Sequence, residues 1–310
     1  MLLSAGINEL DHSTRGKCLE RLGEILRACD QYGEAQSKLE EARSEFIIIG
    51  NQLGAARCLQ SLGDILIMRD QYEQAESRLE EAQSEFITIG SRLGAAQCMQ
   101  SLGDIFLARN QYEEVHLKLE EAQSEFIIIG DRLGAAQCLQ SLGDVLRMQD
   151  RYEEARLKLE EAQTEFIAIG DRLGAARCLQ SLGDVLCMLD RYEAQLKLAE
   201  ARSEFIIIGS RLGAAQCLQS LGDVLRVLGR YEEAQLKLEE ARSELIVIGD
   251  RRGAAQCLQS LSIILQILGQ CKEAQVKLEE ALSGFNHLGL QAQADWCQKR
   301  LDALISSYYK

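Results

Sequence analysis

Apolar residues along the chain fall at alternating spacings of three and four. Tyr152, Ala155, Leu159, Ala162, Phe166 and Ile169 form one such stripe, which puts them on one face of an α-helix, whereas a strand would need period two. The segment before it carries Leu139, Leu142, Gly143 and Leu146 on one face, with Cys138 and Val145 on a flanking face. That helix is therefore predicted to be buried on two sides. Boundary signals accompany both. Asp70 followed by Glu73, and Asp150 followed by Glu153, predict N-caps with a carboxylate at N3. Gly170 is predicted to end the second helix and Asp171 to cap the next.

This two-helix pattern repeats. Cys18, Cys58, Cys98, Cys138, Cys178, Cys217, Cys257 and Cys297 stand 40 residues apart, except for one step of 39 where Arg191-Tyr192-Glu193-Ala194-Gln195 is a residue shorter than Arg151-Tyr152-Glu153-Glu154-Ala155. The predicted organisation is a tail of a truncated preceding helix over 1–11, seven units over 12–290, and a C-terminal capping helix over 291–310. A helix inside such an array packs on its own partner and on the neighbouring unit. A mid-helix glycine costs about 1 kcal/mol against Ala. The recurrence of Gly143 as Gly23, Gly63, Gly103, Gly183 and Gly222 thus predicts close helix–helix approach.

The pattern Leu139-x2-Leu142-Gly143-x2-Leu146, then Tyr152-x2-Ala155-x3-Leu159-x2-Ala162, resembles the tetratricopeptide repeat, and the resemblance covers nearly all of 12–308. It has departures. The family's common first-helix aromatics are Leu here, its usual proline after the second helix is absent, and the period is 40 rather than 34. Longer helices and a Gly joint (Gly50, Gly90, Gly130, Gly170, Gly209, Gly249) absorb the difference. In this the chain is similar to long-repeat members: Pins-type polarity adaptors, kinesin light chain more loosely, and the arrays attached to fungal NOD-like signalling ATPases.

The resemblance implies an all-α, right-handed superhelical solenoid of antiparallel helix pairs, about fifteen helices in all. It also implies a concave groove, lined by first-helix side chains, that holds a peptide or partner protein. Carried over position by position, it gives three ladders. One is Gln60, Gln100, Gln140, Gln180, Gln219 and Gln259, with Glu20 at that place in the first unit. The second is Asp64, Asp104, Asp144, Asp184 and Asp223, opened by Glu24. The third is Arg27, Ile67, Leu107, Arg147, Cys187, Arg226 and Gln266. Chemistry varies along the third ladder while its surroundings stay uniform, which predicts a specificity column facing the groove. The Asp ladder predicts a polar or basic partner, with Arg147 and Arg226 able to take acidic side chains.

Composition narrows the function further. The 310 residues include 34 Lys+Arg against 48 Asp+Glu, a net charge of −14, no proline and 11 cysteines. An acidic chain is a poor nucleic-acid binder, since that affinity comes from Lys and Arg neutralising phosphates. No apolar run approaches the roughly 18 residues that span a bilayer, and the first residues lack a signal-peptide pattern. The expectation is an intracellular, reducing, cytoplasmic setting without membrane contact. The cysteine column suits burial as small apolar residues rather than disulfides, while Cys29, Cys187 and Cys271 lie outside it, and Cys187 is a candidate reactive thiol.

His12, His116 and His287 fall in different units, and neither a phosphate loop nor a nucleophile–base pair stands out. The expectation is a scaffold without catalysis, metal or cofactor. The alternative is the ligand-sensing or regulatory repeat region of a larger NOD-like signalling ATPase. Glu153, Glu154, Glu160, Glu161 and Glu165 form a solvated outer face, with Glu154 expected to pair with Lys158. Trp296, Lys299, Arg300 and Asp302 mark a polar C-terminal cap. The N-terminal end lacks such a cap, which makes self-association through it an expectation.

Overall fold

A computed structural model describes residues 11–189 and 191–308 of the chain. Among them the secondary structure is fifteen helices and no strand: α1 (His12–Ala28), α2 (Tyr32–Ile48), α3 (Gln52–Met68), α4 (Tyr72–Thr88), α5 (Arg92–Ala108), α6 (Tyr112–Ile129), α7 (Arg132–Met148), α8 (Tyr152–Ile169), α9 (Arg172–Leu189), α10 (Arg191–Ile208), α11 (Arg211–Val227), α12 (Tyr231–Ile248), α13 (Arg251–Ile267), α14 (Cys271–His287) and α15 (Gln291–Tyr308). The expected tail over 1–11 lies outside the described residues except for Asp11, whose side chain accepts from the Thr14 amide at 2.9 Å and caps α1. The helices fall into two compact units, Met1–Val145 and Leu146–Lys310.

Two kinds of joint alternate. After each even-numbered helix a glycine takes the left-handed conformation, for example Gly130 at φ 78° and Gly170 at φ 81°, which costs glycine no steric penalty. At Asn51, Asp131, Asp171, Ser210 and Asp250 the following polar side chain caps the next helix, and Asp171 accepts from the Gly174 amide at 3.0 Å as expected, whereas Ser91 makes no such bond.

The joint after each odd-numbered helix corrects an expectation. Asp70 and Asp150 are not N-caps: they sit at φ 56° and 60°, closing the preceding helix. Asp70 N–H donates to the Ile67 carbonyl, and Gln71 N–H reaches the Leu66 carbonyl at 2.9 Å, the paired bonds of a Schellman close. Asp and Asn tolerate the left-handed region better than other side chains do. Tyr72 Oη then donates to Asp70 Oδ1 at 2.7 Å, and Gln71 takes the N-cap place without a side-chain bond. The 39-residue step falls at the joint of α9 and α10, which a single residue separates.

In the first unit, Ala75, Leu79, Ala82 and Phe86 of α4 are buried between Ala56, Leu59 and Leu66 of α3 and Cys98, Leu102 and Ile105 of α5. In the second, Ala234, Leu238, Ala241 and Leu245 of α12 are held in the same way between α11 and α13. Even-numbered helices thus bury one stripe, while odd-numbered helices bury two faces. α3 alone has nine buried residues. Close approach at the mid-helix glycine is real: a Cβ added to Gly63 would lie 2.6 Å from Leu79 Cγ.

Candidate binding face of the odd-numbered helices

Within each unit, successive odd-numbered helices approach one another directly, more closely than successive even-numbered ones. Members of the three ladders lie at these approaches, as bonds from α5 to α3 and from α13 to α11 show. All of their members are half-buried except Asp104, which is exposed.

The ladders prove to be partly stitched together. Ser101 Oγ of α5 donates to Asp64 of α3 at 2.9 Å, and Ser260 Oγ of α13 donates to Asp223 of α11 at 2.8 Å. Ser61 serves Glu24 in the same way at 2.6 Å. The glutamines also reach across, Gln60 Nε2 to Gln97 Oε1 at 3.5 Å and Gln219 Nε2 to Gln256 Oε1 at 3.3 Å, while Arg57 bridges Glu20. Sequence reasoning missed the serines. Their signal was the serine three residues before the aspartate in every Gln-Ser-Leu-Gly-Asp string.

Electrostatics distinguish the aspartates. Burial raises the Asp64 carboxyl, opposed by the Ser101 hydrogen bond, and Asp223 behaves likewise with Ser260. Asp104 accepts no hydrogen bond among the described residues, and loss of hydration followed by the charge on Asp64 pushes it up to about 6. Asp104 is exposed as a residue, yet the surrounding protein strips hydration from its carboxylate. Such a group favours a cationic partner, which restores what it lost in hydration.

The third ladder divides by chemistry. Ile67, Leu107 and Cys187 pack on the edges of core clusters. Arg27 pairs with Glu24 at 2.7 Å and Arg226 with Asp223 at 3.3 Å. Gln266 accepts from Arg300 at 3.1 Å, and the Arg300 guanidinium lies 5.2 Å from the Trp296 ring centroid, tying α15 onto the last repeat. Arg147 is half-buried at its place in the ladder.

Other expected features fall as follows. Seven of the eight column cysteines are buried, Cys18 is half-buried, and Cys29 is exposed. Burial pushes the thiols of Cys58, Cys98, Cys138, Cys217 and Cys257 up to about 12. Glu154 is bridged by Arg151, the residue before the helix, at 2.7 Å. His12 meets Glu45 of α2, and His287 Nδ1 meets the Ser283 carbonyl. Among the described residues, no helix is long and apolar enough to cross a membrane.

Residues 17–84 match the tetratricopeptide repeat family. The structure is similar to that of aspartyl phosphate phosphatase F from Bacillus subtilis, at 14% identity and a TM-score of 0.71, over 87% of this chain and 70% of that one. It is similar to a signal transduction ATPase with numerous domains and a tetratricopeptide repeat sensor from Pyrococcus horikoshii, at 16% identity and a TM-score of 0.72, over 93% of this chain and 44% of that one. The fold is a tetratricopeptide-type repeat solenoid. A Rap conjugation gene regulator solved in complex with a Phr peptide carries a similar solenoid, at 16% identity and a TM-score of 0.59, over 93% and 96% of the two chains. Comparison with curated proteins gives no match.

Proposed function

We propose that the solenoid is a non-catalytic scaffold that holds a polar or basic peptide segment of a partner protein on the inner face of its odd-numbered helices. The observation that carries this reading is the Asp104 carboxylate, exposed on that face, short of hydration and without a hydrogen-bond donor. A lysine or arginine side chain supplies both charge and donors. Gln60, Gln100, Gln140, Gln180, Gln219 and Gln259 offer amides at repeat spacing for an extended backbone, and Asp64, Asp144, Asp184 and Asp223 extend the acidic character. Arg27, Arg147, Cys187, Arg226 and Gln266 set local preference. The peptide-bound Rap regulator, which shares the fold, supports a peptide as the class of ligand. Fluorescence anisotropy of a labelled Lys/Arg-rich peptide tests it: Asp104→Asn weakens binding, and unchanged affinity removes the acidic ladder from the mechanism.

A second reading is a sensor region within a larger signalling ATPase, to which the Pyrococcus horikoshii similarity lends support. The full-length gene separates the two, since a nucleotide-binding domain in the same chain favours the sensor. Self-association through α1, whose Ile25 is 60% exposed, is tested by light scattering.

A further inference from the structure

A second surface lies at the joints that follow the even-numbered helices, away from the inner face. The ends of α2, α8 and α10 each carry an exposed isoleucine just beyond the buried phenylalanine: Ile47 at 56%, Ile167 at 62% and Ile206 at 57%. Each borders a recess between that helix, the start of the next odd-numbered helix and the end of the even-numbered helix after it. Three such recesses are cavities of about 360, 260 and 220 Å³, beside Ile47, Ile167 and Ile206 in turn.

The largest of the three lacks a bridge that the other two share. In the two smaller cavities an arginine at the start of the odd-numbered helix reaches over to a glutamate on the following helix, Arg172 to Glu204 at 2.7 Å and Arg211 to Glu244 at 2.9 Å. Arg92 and Glu125 repeat the bridge at 2.7 Å. The corresponding residue of α3 is Gln52, and Gln52 and Glu85 line the cavity of about 360 Å³. Glu85 has no such bar and is met by Arg43 Nη2 at 3.4 Å, a nitrogen that lies nearer Glu81, at 2.8 Å. The resulting site has apolar walls from Ile47, Ala55 and Ile89, and a one-third-exposed carboxylate at its edge. Its volume is at the lower end of ligand pockets.

We propose that the cavity between α2, α3 and α4 is a binding site for an apolar cation, with an aliphatic or aromatic body against Ile47 and Ile89 and an ammonium or guanidinium head on Glu85. A free amine and an apolar–lysine pair in a partner chain share this chemistry. The test is a titration of protein carrying labelled isoleucine methyl groups with 4-phenylbutylamine, with 4-phenylbutyrate of the same body and opposite charge, and with acetyl-Phe-Lys-amide. The amine is expected to shift the Ile47 and Ile89 signals saturably, at least tenfold more tightly than the carboxylate. Gln52→Arg, which installs the residue found at Arg92, Arg172 and Arg211 and so keeps the fold, is expected to weaken binding at least tenfold, and Glu85→Gln likewise. Tighter binding of the dipeptide than of the amine assigns the site to a partner chain, and the reverse to a free amine. Absence of saturable shifts, equal response to the carboxylate, or full binding by Gln52→Arg would overturn the proposal.

Discussion

Ser101 Oγ donates to the Asp64 carboxylate at 2.9 Å across the gap between α5 and α3, so a residue of the candidate binding ladder doubles as a staple between repeats. Ser260 and Asp223 do the same in the second unit. Where the staple forms, the carboxylate is partly spent on structure. At Asp104 it does not form, and that carboxylate is held up to about 6.

Removing the staple gives a first prediction. Ser101→Ala takes the donor from a half-buried carboxylate, at a cost of about 1 kcal/mol. The Asp64 carboxyl then rises further, since the bond that lowered it is gone. Urea denaturation and an NMR titration of Asp64 read the two effects.

Asp104 sets a pH dependence of opposite sense to that of a salt-bridged acid. Its folded carboxyl stands near 6 against an ordinary 3.8, so between about pH 4 and 6 the native state binds more protons than the unfolded chain, and stability falls as pH rises through that window. Asp104→Asn is therefore expected to stabilise the protein above pH 6 and to make no difference below pH 4. Denaturation midpoints across pH 3.5 to 8 on the order of half-unit steps check it.

Gly63→Ala tests the close helix contact. Helix propensity favours Ala by about 1 kcal/mol, but the new Cβ would stand 2.6 Å from Leu79 Cγ, and overpacking a filled core costs about 1–3 kcal/mol. The steric effect wins, so the substitution destabilises on balance. Leu79→Val in the same chain relieves part of the clash and recovers part of the loss.

Thiol reactivity should follow burial. Cys29 is exposed and reacts with iodoacetamide first. Cys58, Cys98, Cys138, Cys217 and Cys257, buried with thiols near 12, react only on unfolding, because the thiolate is the nucleophile. Peptide mapping after timed alkylation distinguishes the two groups.

The helices, their pairing and the core positions were legible in the sequence because burial leaves a periodic trace: Tyr152 to Ile169 could only be a helix stripe. The joints were harder. Asp70 followed by Glu73 fits a helix start in composition, and only the backbone angle at Asp70 shows that it closes the helix before. The ladders could be placed on one face, but which members are engaged depends on contacts 37 residues away in sequence, such as Ser101 with Asp64. The opening beside Ile47 was hidden for a related reason. Gln52 stands where α5, α9 and α11 begin with Arg92, Arg172 and Arg211, and what that changes depends on Glu85 one helix further on.

The most direct test of the peptide-holding account is the affinity of a Lys/Arg-rich peptide library at neutral pH for the wild type and for a chain carrying Asp64→Asn, Asp104→Asn and Asp144→Asn together. The account predicts that enrichment of basic sequences is lost in the triple variant while its helical content stays that of the wild type. Equal enrichment by a folded triple variant would contradict it.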